Sequence, residues 1–295
     1  MKAGTGFQER AFLLPCEGER LLAVLTLPAD HTPRQTSGVL VVVGGPQYRA
    51  GSHRQFVQLA RALAGQGFPV LRFDARGMGD STGALHDFLH QSPDIGAAID
   101  ALCRTAGVER VLLWGLCDGA SAALLYLHER ADPRVAGLCL LNPWVRSAQS
   151  LARTHVRHYY RQRLMEPAFW RKLVRGGVAL KAARDLLGNL RAARGGRGST
   201  TASLSFQDRM AAAWRAFAGP IQLVLSGNDL TAREFVEFTR QSPAWQGLAT
   251  GSNVTQLEMP DADHTFSGPG HKEALEQAVL QWWLQQSPSP VRQTA

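Results

Sequence analysis

This sequence predicts an α/β fold: a mostly parallel sheet flanked by helices, with one helical insertion. Three observations predict it. Short apolar runs alternate along the chain with segments of helical spacing. Several of those runs, "GVLVVVGG" first among them, are apolar throughout and stop at glycine, as strands buried on both faces do. The alternation breaks only once, in a strongly basic stretch of helical character. A strand-helix order of this kind calls for parallel pairing, with crossover helices on both faces of the sheet.

The elements follow in order. "FQERAFLL" and "RLLAVLTLP" read as an antiparallel pair around a turn at "PCEGE". "GVLVVVGG" is the third strand, and "RQFVQLARALAGQGF" a helix closed by glycine. "PVLRFDARGMGDSTG" runs from a strand into a glycine-rich loop, and "SPDIGAAIDALCRTAGV" opens on a Ser-Pro-Asp cap and reads as a helix. "RVLLWG" is a strand leading through Cys117 into a small-residue helix, and "RVAGLCLLNPW" is the sixth strand. Beyond the basic block, "PIQLVLSGND", "TAREFVEFTRQS", "NVTQLEMPDADH" and "KEALEQAVLQWWLQQ" restore strand, helix, strand and helix. The core is assigned to residues 1–144 and 219–287, the basic helical cap to 145–218, and a flexible tail to 288–295.

The charge is unevenly placed. Of a net +8, the block Arg146–Arg197 holds thirteen Arg and Lys against Glu166 and Asp185, so the remainder is slightly acidic. Within the block Arg153, Arg157 and Tyr160 are read as facing substrate, which suits an anionic ligand such as an acyl-CoA phosphate or an acidic saccharide. Docking of the cap on anionic lipids and a merely solvated helix face are the alternatives. Nucleic-acid binding is not expected, because the charge is confined to one insertion without a binding motif. The start "MKAGTGFQERAFLLP" lacks the apolar centre of a signal peptide, and no run is long enough to span a bilayer, so a cytoplasmic protein is expected. The four cysteines, Cys16, Cys103, Cys117 and Cys139, show no CxxC and no metal spacing with histidine; no metal and no cofactor are expected.

The chemistry concentrates in "VLLWGLCDGASAALL". A nucleophile raised on a tight strand-to-helix turn has a strained backbone, and the residues two before and two after it crowd together. Gly115 and Gly119 stand at those places around Cys117. The helix behind it lowers the cost of a thiolate. His264, in "LEMPDADHTF" between the last strand and the final helix, is the base. Asp229, at the end of "LVLSGND", is the acid that orients it. Asp261 and Asp263 are too close in sequence to reach behind the ring and are read as shaping the loop. For the oxyanion, the backbone N–H of Asp118 is one donor. Gly45 is the other, with Gln47 as second choice there and as a substrate contact, since Pro46 has no N–H.

Together these segments resemble the α/β-hydrolase superfamily over nearly the whole chain. "GLCDG" is similar to its nucleophile elbow with cysteine for serine, and "VGGPQ" to its HGGPG loop with Val43 and Gln47 departing from it. "FDARGMGDSTG" resembles the D-x-R-G-x-G-x-S segment after the fourth strand. More narrowly, "GGPQYRAGSHRQFVQLARALA", "RFDARGMGDSTG", "WGLCDGASAALLY" and "LLNPWVR" resemble the exosortase A system-associated hydrolases of the first type, bacterial proteins of exopolysaccharide and protein-export gene clusters. The resemblance implies an α/β-hydrolase fold with its cap inserted after the sixth strand, and a Cys117-His264-Asp229 triad. A cysteine nucleophile, with a thiol pKa near ~8.5, passes through a thioester, which suits esters, thioesters and lactones better than amides. Three readings stand at this point: an ester or thioester hydrolase, an acyltransferase on the same scaffold, and a non-catalytic binding protein of the same fold. The substrate expected is a small acyl compound, and the oligomeric state is left open.

Overall fold

The computed structural model describes residues 6–45, 47–146 and 204–287. Eight strands form one sheet in the order β1-β2-β4-β3-β5-β6-β7-β8. They are β1 (Phe7–Cys16), β2 (Glu19–Pro28), β3 (Ser37–Val42), β4 (Val70–Phe73), β5 (Arg110–Leu116), β6 (Val135–Leu141), β7 (Ile221–Ser226) and β8 (Val254–Met259). Six helices of two turns or more are described: α1 (Gln55–Ala64), α2 (Ser92–Ala106), α3 (Asp118–Arg130), α4 (Phe206–Ala216), α5 (Leu230–Gln241) and α6 (His271–Gln286). β1 and β2 pair antiparallel and β2 meets β4 antiparallel, whereas β3 to β8 run parallel. The eight strands and the helices between them lie where the apolar runs predict them.

The continuous apolar strands serve two cores at once, because successive side chains point to opposite faces. On β3, Leu40 and Val42 enter one core and Val39 and Val41 the other; on β5, Leu113 and Trp114 divide in the same way. Helices α2 to α5 cover the first face, and α1 and α6 the second. Every strand from β3 to β7 therefore leads its C-terminal end to the same edge of the sheet, where loops gather functional side chains.

The chain divides into two compact units, Met1–Val145 with Ser205–Ala295, and Arg146–Leu204. Here the structure departs from the sequence reading, which gave residues up to 218 to the insertion. Helix α4 belongs to the core unit: it packs on α3 and buries Met210 and Trp214 completely or nearly so. Trp214 meets Phe235 and Trp245 ring to ring, at centroid distances of 6.4 and 5.5 Å. The available signal was the charge block, which stops at Arg197, before this amphipathic stripe begins. Nearly all of the second unit, and the tail from 288, lies outside the described residues. No described helix is long and apolar enough to cross a membrane.

Candidate active site

The turn from β5 into α3 holds Cys117 at φ 60° and ψ −123°, a conformation that costs a non-glycine residue on the order of 1–3 kcal/mol. The surroundings enforce it. The Cys117 N–H donates to Leu141 O at 2.8 Å on the neighbouring strand. Its carbonyl accepts from Ala120 N at 3.1 Å and from Trp144 N at 3.2 Å, fastening the loop after β6 to the elbow. The two flanking glycines are required by space: a Cβ on Gly115 would overlap the Gly119 carbonyl, and one on Gly119 would overlap the Val42 carbonyl oxygen of β3. Cys117 is partly buried at the N-terminal end of α3, where helix N–H groups favour a thiolate. At two other cysteines burial pushes the thiol up, to about 11 at Cys16 and well above its ordinary value at Cys139.

The residues expected as acid and base follow the ends of β7 and β8. Asp229 follows β7 and caps α5, accepting from Thr231 N at 3.0 Å and Ala232 N at 3.3 Å. It is 6 % exposed, and its Oδ2 lies 2.8 Å from His264 Nδ1. The loop carrying His264 is anchored to the loop carrying Asp229: Asn228 N donates to Ala262 O at 3.0 Å and Gly227 N to Met259 O at 2.9 Å. Asp263 accepts from Thr265 N at 3.2 Å and Ser267 N at 2.8 Å, so it shapes the loop and leaves the ring to Asp229. The Asp229 hydrogen bond raises the His264 pKa against the opposing effect of burial, and the charges of Asp229, Asp118 and Asp263 add to it. Burial works to raise the Asp229 pKa, but its bond to His264, the imidazolium charge and the two backbone donors outweigh it and hold the carboxyl below its usual range.

The loop after β3 reaches the same edge. Gly45, at φ 55°, and Gly44 lie against the Asp118 carboxyl group. Burial raises the Asp118 pKa, while its backbone donors and His264 pull it down less strongly. Gln47 is half-buried, with Oε1 lacking a hydrogen-bond partner among the described residues. The remaining substrate-side residues expected from the sequence, Arg153, Arg157 and Tyr160, lie outside the described residues. Among the described residues no group of three or more His, Cys, Asp or Glu is placed to hold a metal ion.

Sequence reasoning missed how this loop is held. Asp74, fully buried at the end of β4, accepts from the backbone N–H of Arg49 at 2.7 Å and of Asp80 at 3.0 Å, and pairs with the Arg49 guanidinium. Arg49 also reaches Asp80 at 2.7 Å, and Arg72 Nη1 donates to Arg49 O at 3.0 Å. The signal was present in the first Asp of "DARGMGDS", read only as part of a motif. Arg76 of the same segment pairs with Asp94 at 3.0 Å and with Glu17, tying it to α2 and the first hairpin. A separate cleft of about 610 Å³ at the β7–β8 edge, lined in part by Arg233, Glu237, Arg240 and Glu258, includes none of Cys117, His264 and Asp229.

Comparison with known proteins gives three findings. The model of the family described as serine aminopeptidase, S33, matches residues 34–230. The human protein ABHD12B is 33 % identical over 121 residues; the match covers 37 % of this chain and 31 % of the human protein, so this chain aligns with about a third of that relative's length. Among solved structures, an esterase of Pyrococcus furiosus superposes with a TM-score of 0.61 at 16 % identity, over 96 % of this chain and 92 % of that one. The dienelactone hydrolase of Anabaena variabilis gives 0.60 at 16 %, over 96 % and 100 % of the two chains. Est1E of Butyrivibrio proteoclasticus, with ferulic acid bound, gives 0.57 at 17 %, over 94 % and 99 %. At these identities the structural likeness establishes the fold.

Proposed function

Because this chain belongs to the α/β-hydrolase family described as serine aminopeptidase, S33, we propose that it hydrolyses an ester or thioester with Cys117 in place of the serine. The observation that carries this reading is the backbone of Cys117, held at φ 60° and ψ −123° between two glycines that no larger residue can replace. Strain of this kind persists where a side chain must be presented to a reactant.

The proposed reaction runs through the residues at this edge. The Cys117 thiolate attacks the acyl carbon while His264 holds the proton as an imidazolium, oriented by Asp229. The carbonyl oxygen gains negative charge and takes hydrogen bonds from the N–H groups of Asp118 and Gly45. The carbon–oxygen or carbon–sulfur bond then breaks, His264 protonates the leaving group, and a thioester remains on Cys117. Water, deprotonated by His264, attacks that thioester and releases the acid and the thiol. An amide substrate fits less well despite the family's description, because the tetrahedral intermediate expels the thiolate more readily than an amine. A cytoplasmic setting beside an exosortase and exopolysaccharide system is the context suggested by the motif resemblance. The basic segment around Arg153, Arg157 and Tyr160 is assigned to an anionic part of the substrate or a membrane surface.

The test is intact mass after brief mixing with p-nitrophenyl esters and acyl thioesters. An acyl adduct is expected on the wild type and absent from Cys117→Ala, with Cys117→Ser retaining at most a slow adduct. An adduct on Cys117→Ala equal to that of the wild type sinks the assignment. The decay of the adduct separates the two enzymatic readings: acceleration by an added alcohol or amine marks an acyltransferase, and indifference marks a hydrolase.

A further inference from the structure

The backbone donors assigned to the oxyanion have a carboxyl group close beside them. The Asp118 carboxyl group lies beside the backbone of Gly44, Gly45 and Gly119, near enough for the N–H groups of Asp118 itself, Gly45 and Gly119 to pull its pKa down against burial. Its oxygens lie so close to the loop after β3 that a Cβ on Gly44 would overlap Oδ1, and one on Gly45 would stand 3.1 Å from Oδ2. Two of those three donors are the pair that a tetrahedral intermediate needs. A carboxylate oxygen and a developing alkoxide make the same demand on a cluster of N–H groups, so both cannot be served together. The negative charge also stands beside the nucleophile, on the residue next to it in sequence.

We propose that Asp118 is a specificity-determining residue that fills the oxyanion hole at rest and must turn out of it before Cys117 can be acylated. This rests on the reading of Cys117 as the nucleophile and adds a selection rule to it. Substrates whose remote parts bind well drive the side chain out and react. Small esters lack that binding energy. Acyl groups with an anionic substituent beside the scissile carbonyl are repelled by the same carboxylate.

An alternative duty, holding the Gly44–Gly45 loop as a strut, makes different demands. A strut survives as Asp118→Asn, whose amide oxygen still accepts, and fails as Asp118→Ala. An occupant is removed in charge by both.

The experiment compares Cys117 alkylation by iodoacetamide and iodoacetate in the wild type, Asp118→Asn and Asp118→Ala, beside acylation by p-nitrophenyl acetate. The ratio of the iodoacetate to the iodoacetamide rate is expected to rise at least ~10-fold in both variants, since the repulsion ends in both and Asp118→Ala also leaves the donors open to the reagent's carboxylate. Acylation by the small ester is expected to rise in both, and more in Asp118→Ala, where no acceptor remains at the donors. In the wild type, added acetate is expected to leave the iodoacetamide rate unchanged, and this arm needs no variant to fold. An unchanged ratio in both variants, or protection of the wild type by acetate, overturns the proposal. So does loss of acylation in Asp118→Ala with retention in Asp118→Asn. The alkylation ratio requires no ester turnover. A raised ratio in proteins that never form an acyl adduct would sustain the occupancy of the hole and defeat the proposed function alone.

Discussion

His264→Ala is expected to lower the acylation rate of Cys117 roughly a thousandfold, while the melting temperature at pH 8 stays within a few degrees of the wild type. The ring is hydrogen-bonded to a buried acid, at 2.8 Å from Asp229, and general acid–base catalysis of this type contributes about 10²–10⁴-fold. Alkylation by iodoacetamide near pH 6 gives a second readout. A thiol of pKa near ~8.5 is a fraction of a per cent thiolate there, so losing the imidazolium partner is expected to slow alkylation about a hundredfold. Equal rates in variant and wild type would remove His264 from the mechanism. The pH dependence of stability has a definite sign. The His264 pKa is raised by folding, so its contribution is complete below the ordinary imidazole value of about 6.5 and is lost as pH rises through the raised one. The Asp229 pKa is lowered, so its contribution is complete above the ordinary carboxyl value of about 3.9 and is lost as pH falls through the lowered one. The difference in melting temperature between wild type and His264→Ala is therefore expected to be larger between about pH 4 and 6.5 than at pH 9.

Asp74→Ala is expected to cost about 3 kcal/mol and to lower the melting temperature by roughly 6 °C or more, because the partly buried Arg49 guanidinium loses its fully buried partner. The loss is compounded by two backbone N–H groups, those of Arg49 and Asp80, left without their acceptor. The same change releases the segment that follows Gly45, so acylation is expected to fall as well, by a larger factor than Asp80→Ala produces. Asp80 is the exposed partner of the same arginine, 65 % accessible, and its loss is expected to shift stability by well under ~1 kcal/mol. Thermal melts of the two variants decide the matter: equal melting temperatures would mean that the buried carboxylate does not anchor the loop.

Much of this protein was legible before its fold. The apolar and alternating runs placed all eight strands, and β3 to β7 most plainly, because a strand buried on both faces has only one kind of sequence to draw on. The elbow was legible because "GLCDG" carries its own steric reason at two glycines. The order nucleophile, acid, base picked out Asp229 over Asp261 and Asp263, and the structure puts Asp229 against the ring. The end of the insertion was misread, because the short amphipathic helix α4 has the same local pattern whether it serves a cap or the core. Only its burial against α3 tells the two apart.

The sequence alone determined what is local or periodic: strand alternation, the glycine spacing of the elbow, and the Ser-Pro-Asp start of α2. Tertiary structure alone decided what depends on two distant segments meeting. Arg49 and Asp74 are 25 residues apart, and nothing in either stretch specifies the other. Asp118 looked like a bystander contributing its N–H, until β3 and β5 paired and brought Gly44 and Gly45 onto its carboxyl group. Pairing of that kind is set by the register of the whole sheet, and no short stretch of chain records it.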